Sequence, residues 1–239
     1  MTNSHQIAPI RALLILMLIA AAAGCSSASP DTTFEFDEGP QGWVEGFADY
    51  PADGDLAIYE FEAAWRSLPE NLEGNALYIS GHNRSDDLWM HWARPIRDLE
   101  PNTDYAVSIS VELASSVPEG LFGIGGSPGE SVFIKAGAST NEPTTVIDDQ
   151  GWWRLTADKG NQADGGDDAV VIGTPANPNL DPETADGTTF ELMTLDTTGL
   201  NLTAATDESG TLWVFVGTDS GFEGATTLYY NTIDVQVGR

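Results

Sequence analysis

Two residue types are nearly missing from this 239-residue chain: lysine, present only as Lys135 and Lys159, and cysteine, present only as Cys25. A single cysteine excludes an intrachain disulfide. Positive charge is scarce altogether, with 9 Lys and Arg against 37 Asp and Glu and a formal net charge of -28. That balance excludes nucleic acid and anionic membrane surfaces as partners, because both would be repelled. Helical periodicity is also wanting, since no stretch of the first half repeats apolar residues at three-and-four spacing over three turns. A hydrophobic content of 41% with 7 tryptophans nevertheless exceeds what a disordered acidic chain carries, so the chain is expected to fold.

An acid-rich, lysine-poor surface suits a protein that stays hydrated in concentrated salt, where self-repulsion is screened within a few ångströms. A salt-adapted source accounts for it; an acidic secreted protein of ordinary habitat that takes up calcium is the alternative.

The N-terminal segment carries Arg11, an apolar run from Ala12 to Ala23, and then Gly24-Cys25-Ser26-Ser27. The run is too short to span a bilayer and has the layout of a secretory signal over residues 1–24. Ala22-Ala23-Gly24-Cys25 resembles the bacterial lipobox, in which cleavage precedes a lipidated cysteine. The resemblance implies a diacylated and N-acylated (palmitate-type) Cys25, a polar tether over 25–33, and an extracytoplasmic lipoprotein held in the cell envelope. Ser26 after the lipid is compatible with the outer membrane of a Gram-negative source.

The rest alternates with period two. Leu88, Met90 and Trp92 interleave with Trp89 and His91, and Tyr105, Val107, Ile109, Val111 and Leu113 interleave with polar residues, which predicts a strand pair joined by a turn at Pro101-Asn102. Further strands are predicted at 34–36, 44–50, 56–65, 76–80, 130–136, 152–157, 169–172, 188–195, 211–217 and 227–237. About ten short strands at roughly ten-residue spacing, with no strong helix, predict an all-β antiparallel sandwich or jelly roll, as one domain over 34–239.

Leu99-x-Pro101-Asn102-Thr103-x-Tyr105-x-Val107 is similar to the corner of fibronectin-type and carbohydrate-binding sandwiches, in which the tyrosine ties a strand crossing. Phe34-Glu35 with Gly42-Trp43, and the run from Leu228 to Val235, resemble the first and last strands of galactose-binding-like jelly rolls. The middle, from Gly123 to Gly137 and Asp158 to Gly166, looks like part of an uncharacterised bacterial lipoprotein family. By resemblance to jelly-roll carbohydrate modules, a structural calcium would sit between the first and last strands on Glu35 or Asp37 and Asp234. Asp164-Gly165-Gly166-Asp167-Asp168 is a second acidic cluster, without the spacing of an EF-hand.

Gly125-Gly126-Ser127-Pro128-Gly129 fits the G-x-S-x-G elbow of esterases, but a strand follows it where the elbow needs a helix, and both histidines beyond the leader, His82 and His91, lie upstream. A turn exposing backbone amides is the better reading. Lys135 and Lys159 have two explanations: each is held by a structural ion pair, or the two join Asn83, Arg84, Asp86 and Asp87 in a polar ligand-binding cluster. Sugar rings stack on exposed aromatic faces, and Trp43, Tyr50 and one of the adjacent pair Trp152 and Trp153 are the candidates for such a platform. The reading that follows is a lipid-anchored module binding a glycan or similar polar ligand without catalysis. A structural envelope lipoprotein acting through protein contact is the rival, and a surface hydrolase or lyase with paired carboxylates is a third possibility.

Overall fold

The computed structural model describes Met1 and the continuous span 31–239. The signal segment, Cys25 and the residues of the tether before Asp31 lie outside the described residues.

Among the described residues, fifteen strands follow one another: β1 (Asp31–Glu35), β2 (Val44–Ala48), β3 (Tyr50–Pro51), β4 (Glu62–Ser67), β5 (Asn75–His82), β6 (Leu88–Ile96), β7 (Asp104–Ser115), β8 (Val132–Ser139), β9 (Thr145–Ile147), β10 (Trp152–Leu155), β11 (Ala169–Gly173), β12 (Glu191–Asp196), β13 (Thr203–Ala205), β14 (Leu212–Ser220) and β15 (Ala225–Gly238). One antiparallel sheet runs β12-β7-β15-β5-β4, with β1 paired to β15 and β13 to β7; a second runs β11-β8-β14-β6-β2; a small third runs β3-β10-β9. The expected all-β antiparallel sandwich is the observed architecture. No helix among the described residues is long and apolar enough to cross a membrane.

The two large sheets bury a shared core whose members reach from Phe34 to Val237 and include Leu77, Met90, Ile109, Val214 and Tyr230. Period-two alternation sets this up directly, since each strand sends every second apolar side chain inward. Burial of such side chains contributes about 1.5–3 kcal/mol each.

Several expectations are corrected by the sheet order. β6 and β7 are consecutive but do not pair: β6 lies between β14 and β2, and β7 between β15 and β12. Their connection therefore crosses from one sheet to the other, and the Tyr105 hydroxyl accepts the Glu100 amide at 3.1 Å within it, as the resemblance implies. The strand expected over 56–65 begins instead as a 3-10 turn, Leu56–Tyr59, because the Asp55 carboxylate accepts the Ala57 amide at 3.0 Å and Glu60 turns left-handed. Residues 31–33, expected in the tether, pair with β15. β9 and β13 were not expected as strands; each has only three residues, too few for alternation to register.

The second sheet has an unusual outer face. Trp89, His91, Phe215, Lys135 and Asp219 all point away from the shared core, and the small third sheet and the segment after it cover them. Glycines make this possible at two points. A Cβ on Gly46 would lie 2.4 Å from the His91 ring, and one on Gly217 would lie 2.8 Å from the Trp89 ring. With those atoms absent, the rings lie close against the strands, and the Trp89 indole donates to His91 Nδ1 at 3.0 Å. Full burial pushes the His91 imidazole down to about 4. The Trp89 ring in turn faces the Lys159 ammonium, which lines a charged cleft.

Candidate functional site

The centre of this cleft follows from sheet register. Lys135 of β8 lies opposite Gly217 of β14, and Asp219 stands two residues farther along the same face. Both side chains are 0% exposed and meet at 2.7 Å. The segment 158–168 closes over them. It is shaped by its own acids: the Asp158 carboxylate accepts the amides of Gly160 (3.0 Å) and Asp167 (3.1 Å), and Asp168 accepts the Asp158 amide at 2.8 Å. Those amide bonds, Asp167 first and Gly160 next, hold the Asp158 carboxyl below the usual carboxylate range. Glycine is required at position 160, where φ is +70 and Asp164 O would lie only 2.3 Å from a Cβ.

Thus ordered, the segment turns two carbonyls inward. Lys135 Nζ donates to Lys159 O (2.8 Å), Asp164 O (2.9 Å) and Asp219 Oδ2 (2.7 Å), one acceptor for each of its three protons, so it stays an ammonium even though burial draws its pKa down. Lys159 Nζ meets Asp219 Oδ2 at 2.8 Å, Asp49 Oδ2 at 3.0 Å and Gly160 O at 3.3 Å. Burial opposes its charge, but Asp219, Asp49 and Asp87 outweigh it and raise its pKa. The ammonium also lies 5.5 Å from the Trp89 ring centre.

Arg154 of β10 completes the cation set. Its guanidinium donates to Asp49 Oδ1 at 2.7 Å and to Asp148 at 3.3 Å, stands 3.8 Å from Asp87 Oδ2, and lies 4.8 Å over the Trp152 ring. Asp49 reaches this place from a left-handed backbone, φ 69, between β2 and β3; Asp86 and Gln162 beside it are left-handed as well, at φ 70 and 48. Such backbone is tolerated by few residue types and tends to gather where a site demands it.

Asp219 is loaded unequally. Its Oδ2 accepts from Lys135, Lys159 and the Gln162 amide (2.9 Å), whereas its Oδ1 has no partner among the described residues, and neither has Asp87 Oδ1. The Asp87 and Asp219 carboxyls bring an oxygen each within 4.8 Å of the other. Burial first, and the neighbouring Asp219 carboxyl second, push the Asp87 carboxyl up to about 8, while Lys159 and Asp87 in turn hold Asp219 low against its burial. The surrounding cleft has a volume of ≈ 540 Å³ and is lined by Asp49, Asp87, Arg154, Lys159 and the segment from Leu155 to Asn161.

The structure therefore brings together Asp87, Lys135 and Lys159 from the expected cluster. Asn83 lies behind them, buried, donating to Ser220 O at 2.7 Å and accepting the Ser85 amide at 3.1 Å, which fixes the turn that presents Asp87. Arg84 and Asp86 are exposed; Asp86 contributes its carbonyl to Gln162 at 3.3 Å. Trp152 is half-buried on the same strand face as Arg154, whereas Trp153 faces the main core. Trp43 and Tyr50, expected as exposed faces, are buried and offer none: Trp43 packs edge-on against Phe34 and Phe36, and Tyr50 stacks on Phe47. Asp49, Asp148, Arg154 and Asp219 were missed. An acid inside the apolar run Val214-Phe215-Val216-Gly217-Thr218-Asp219 was the available signal for the last.

Glu35, Asp37 and Asp234 do not converge. Asp37 accepts the Asn75 amide at 3.2 Å and Asp234 accepts the Thr33 hydroxyl at 2.5 Å, so strand pairing spends these carboxylates separately. Nor do Asp164, Asp167 and Asp168 form a cluster. The acid group whose spacing could hold a metal ion is Asp49, Asp87 and Asp219, each with an oxygen within 4.8 Å of the others. Lys135 and Lys159 already bring two ammonium groups to those oxygens.

No family model and no curated protein matches the sequence. Among solved structures, the chain is similar to a family 11 carbohydrate-binding module from a cellulosomal cellulase of Clostridium thermocellum, at 11% identity and TM-score 0.40, over 88% of this chain and 96% of that one. It is similar to a carbohydrate-binding module described for specific mannan recognition, at 12% identity and TM-score 0.32, over 87% and 96%. It is also similar to the enzymatically active domain of bacteriophage CBA120 tailspike protein 4, at 13% identity and TM-score 0.34, over 82% of this chain but 19% of that one. The chain thus spans about a fifth of the length of that tailspike protein.

Proposed function

We propose that this protein binds a carbohydrate in the cleft above the Lys135–Asp219 pair, without catalysis, while anchored to the cell envelope through a lipidated Cys25. The observation that supports the site is its pre-organisation: a ≈ 540 Å³ cleft in which Asp49, Arg154, Asp158 and Lys159 are each fixed by two or more partners, with the half-buried Trp152 beside Arg154 at its edge. Sugar recognition asks for fixed donors and acceptors together with an aromatic face. In this reading Arg154 and Lys159 donate to ring hydroxyls, Asp49 and Asp158 accept, and Trp152 supplies the stacking surface on the side its guanidinium neighbour leaves free.

The test is a glycan array followed by calorimetry on each hit. Trp152→Ala and Arg154→Ala should each weaken binding by tenfold or more, on the order of 1.4 kcal/mol, and Trp152→Ala should do so with melting temperature little changed. Binding that survives both substitutions would move the site elsewhere. A calcium ion entering the Asp49–Asp87–Asp219 group would have to displace the Lys159 ammonium, and a calcium-dependent rise in melting temperature is the measure of that. Lipid anchoring is tested by Cys25→Ala, which should release the protein from the membrane fraction. The rival reading, protein contact in the envelope, draws on Phe122 and Ile124, which are 97% and 72% exposed in the first glycine-rich loop. Crosslinking to an envelope protein that is lost on Phe122→Ser would favour it.

A further inference from the structure

The ion-pair network at the cleft is one positive charge short. Four acids, Asp49, Asp87, Asp148 and Asp219, meet three cations, Lys135, Arg154 and Lys159. The deficit is localised by geometry rather than spread over the site. Asp219 Oδ2 is saturated with three donors, Asp49 is shared by Arg154 and Lys159, and Asp148 is held by Arg154 and by the amides of Gln150 and Trp152 at 2.9 Å each. What remains is a pair of buried oxygens without a hydrogen-bond partner, Asp87 Oδ1, which has Lys159 Nζ no nearer than 4.0 Å, and Asp219 Oδ1, on a side chain with 0% exposure. Burial and the neighbouring Asp219 carboxyl raise Asp87 and so favour its protonated form at that place. Asp87 is the member of the pair that lines the cleft, with a side chain 22% exposed.

We propose that the cleft selects a sugar carrying a primary ammonium group, an amino sugar, whose positive charge replaces the proton held by Asp87. This rests on the carbohydrate reading above and adds the class of sugar to it. The exchange balances simply: the ammonium enters with its three protons, Asp87 goes from carboxylic acid to carboxylate, and one proton leaves to solvent, with no covalent bond formed or broken. The charged groups around Asp87 are Asp49 after β2, Lys135 on β8, Arg154 on β10, Asp158 and Lys159 in the covering segment, and Asp219 on β14. With Asp87 itself that makes four acids against three cations, and the surplus acid, on a chain of net charge -28, favours the cation over a neutral N-acetylated sugar and disfavours a uronate.

The experiment is calorimetry with glucosamine oligomers and N-acetylglucosamine oligomers at about pH 6, repeated in two buffers of different ionisation enthalpy so that proton release is counted. The glucosamine oligomer is expected to bind at least about tenfold tighter and to release close to one proton, and the release is expected to fade as pH passes about 8. Asp87→Asn, a neutral isostere of the protonated acid, should keep the fold, abolish proton release and bring the two affinities together. In the ligand-free protein, carbon-13 NMR of aspartate carboxyls should show one that titrates well above the rest and is missing in Asp87→Asn. If the N-acetylated oligomer binds as tightly as the amine and releases no proton, the carbohydrate reading stands and this inference is overturned. If neither oligomer nor any arrayed glycan binds, both fall.

Discussion

Two glycine-rich loops of similar composition meet opposite fates in this protein. The first, Gly120 to Gly129, stands out from the sandwich with Phe122 and Ile124 in solvent and its serine committed to a local turn, in which Ser127 accepts the amides of Gly129 and Glu130 at 3.1 and 3.2 Å. The second, Asp158 to Asp168, is stitched by its own carboxylates and gives two carbonyls to a buried lysine. Glycine content alone does not decide what a loop does. What differs is a cation beneath: Lys135 supplies three directed donors, and two carbonyls of the second loop receive two of them while Asp219 receives the third. The contrast extends to the cleft, which residues of the second loop line and residues of the first do not.

The largest expected effect comes from removing the anion under the second loop. Asp219→Ala leaves two buried ammonium groups short of their shared carboxylate, and breaking one partner of a buried pair costs about 3–5 kcal/mol. Chemical denaturation should show that loss, together with faster amide exchange over 158–168 and no change over 120–129. Next in size is a pair of alanine substitutions. Gly160→Ala drives a methyl into Asp164 O and should cost about 2–3 kcal/mol, whereas Gly120→Ala, with a left-handed φ of +79 but nothing within 4 Å, should cost about 1 kcal/mol. Equal costs at the two positions would erase the distinction drawn between the loops.

The pH dependence follows in magnitude. Asp87 has a folded value of about 8 against an ordinary 3.8, so the folded state holds a proton that the unfolded chain has lost. Its contribution is fully present below about pH 4 and is lost as pH rises through 8, with a slope of at most about 1.4 kcal/mol per pH unit. His91 acts in the opposite sense: its folded value of about 4 lies below 6.5, so stability falls as pH drops from 6.5 towards 4. Between about pH 4 and 6.5 the two slopes oppose one another and above 6.5 only that of Asp87 remains, so Asp87→Asn should steepen the rise of the denaturation midpoint with pH over the first range and flatten its fall over the second. The smallest effect is expected at the first loop, where Phe122→Ser should change stability by less than about 0.5 kcal/mol, since the ring packs on little.

The strands were legible because alternation is local: Tyr105 to Leu113 states its own inner face. Which sheet each strand joins was not, as β6 and β7 illustrate, because pairing depends on partners more than a hundred residues away in the chain, such as β14 for β6. The site was half legible for a related reason. Lysine is so rare that Lys135 and Lys159 drew attention on scarcity alone, and they prove to share one carboxylate. Their anions had no such contrast. With 37 acids in the chain, Asp49, Asp148 and Asp219 look like any others until folding buries or orients them. Trp43 misled in the opposite direction, since an aromatic at a strand start reads the same whether it meets a sugar or, as here, Phe34 and Phe36.

The most direct test of the central claim, that the cleft under the second loop is where ligand binds, is an amide NMR titration with a glycan hit from the array. The account predicts shift changes at Asp49, Asp87, Trp152, Arg154 and the backbone from Lys159 to Asn161, with residues 120–129 unmoved. Changes confined to the first loop around Phe122, with the cleft silent, would contradict it.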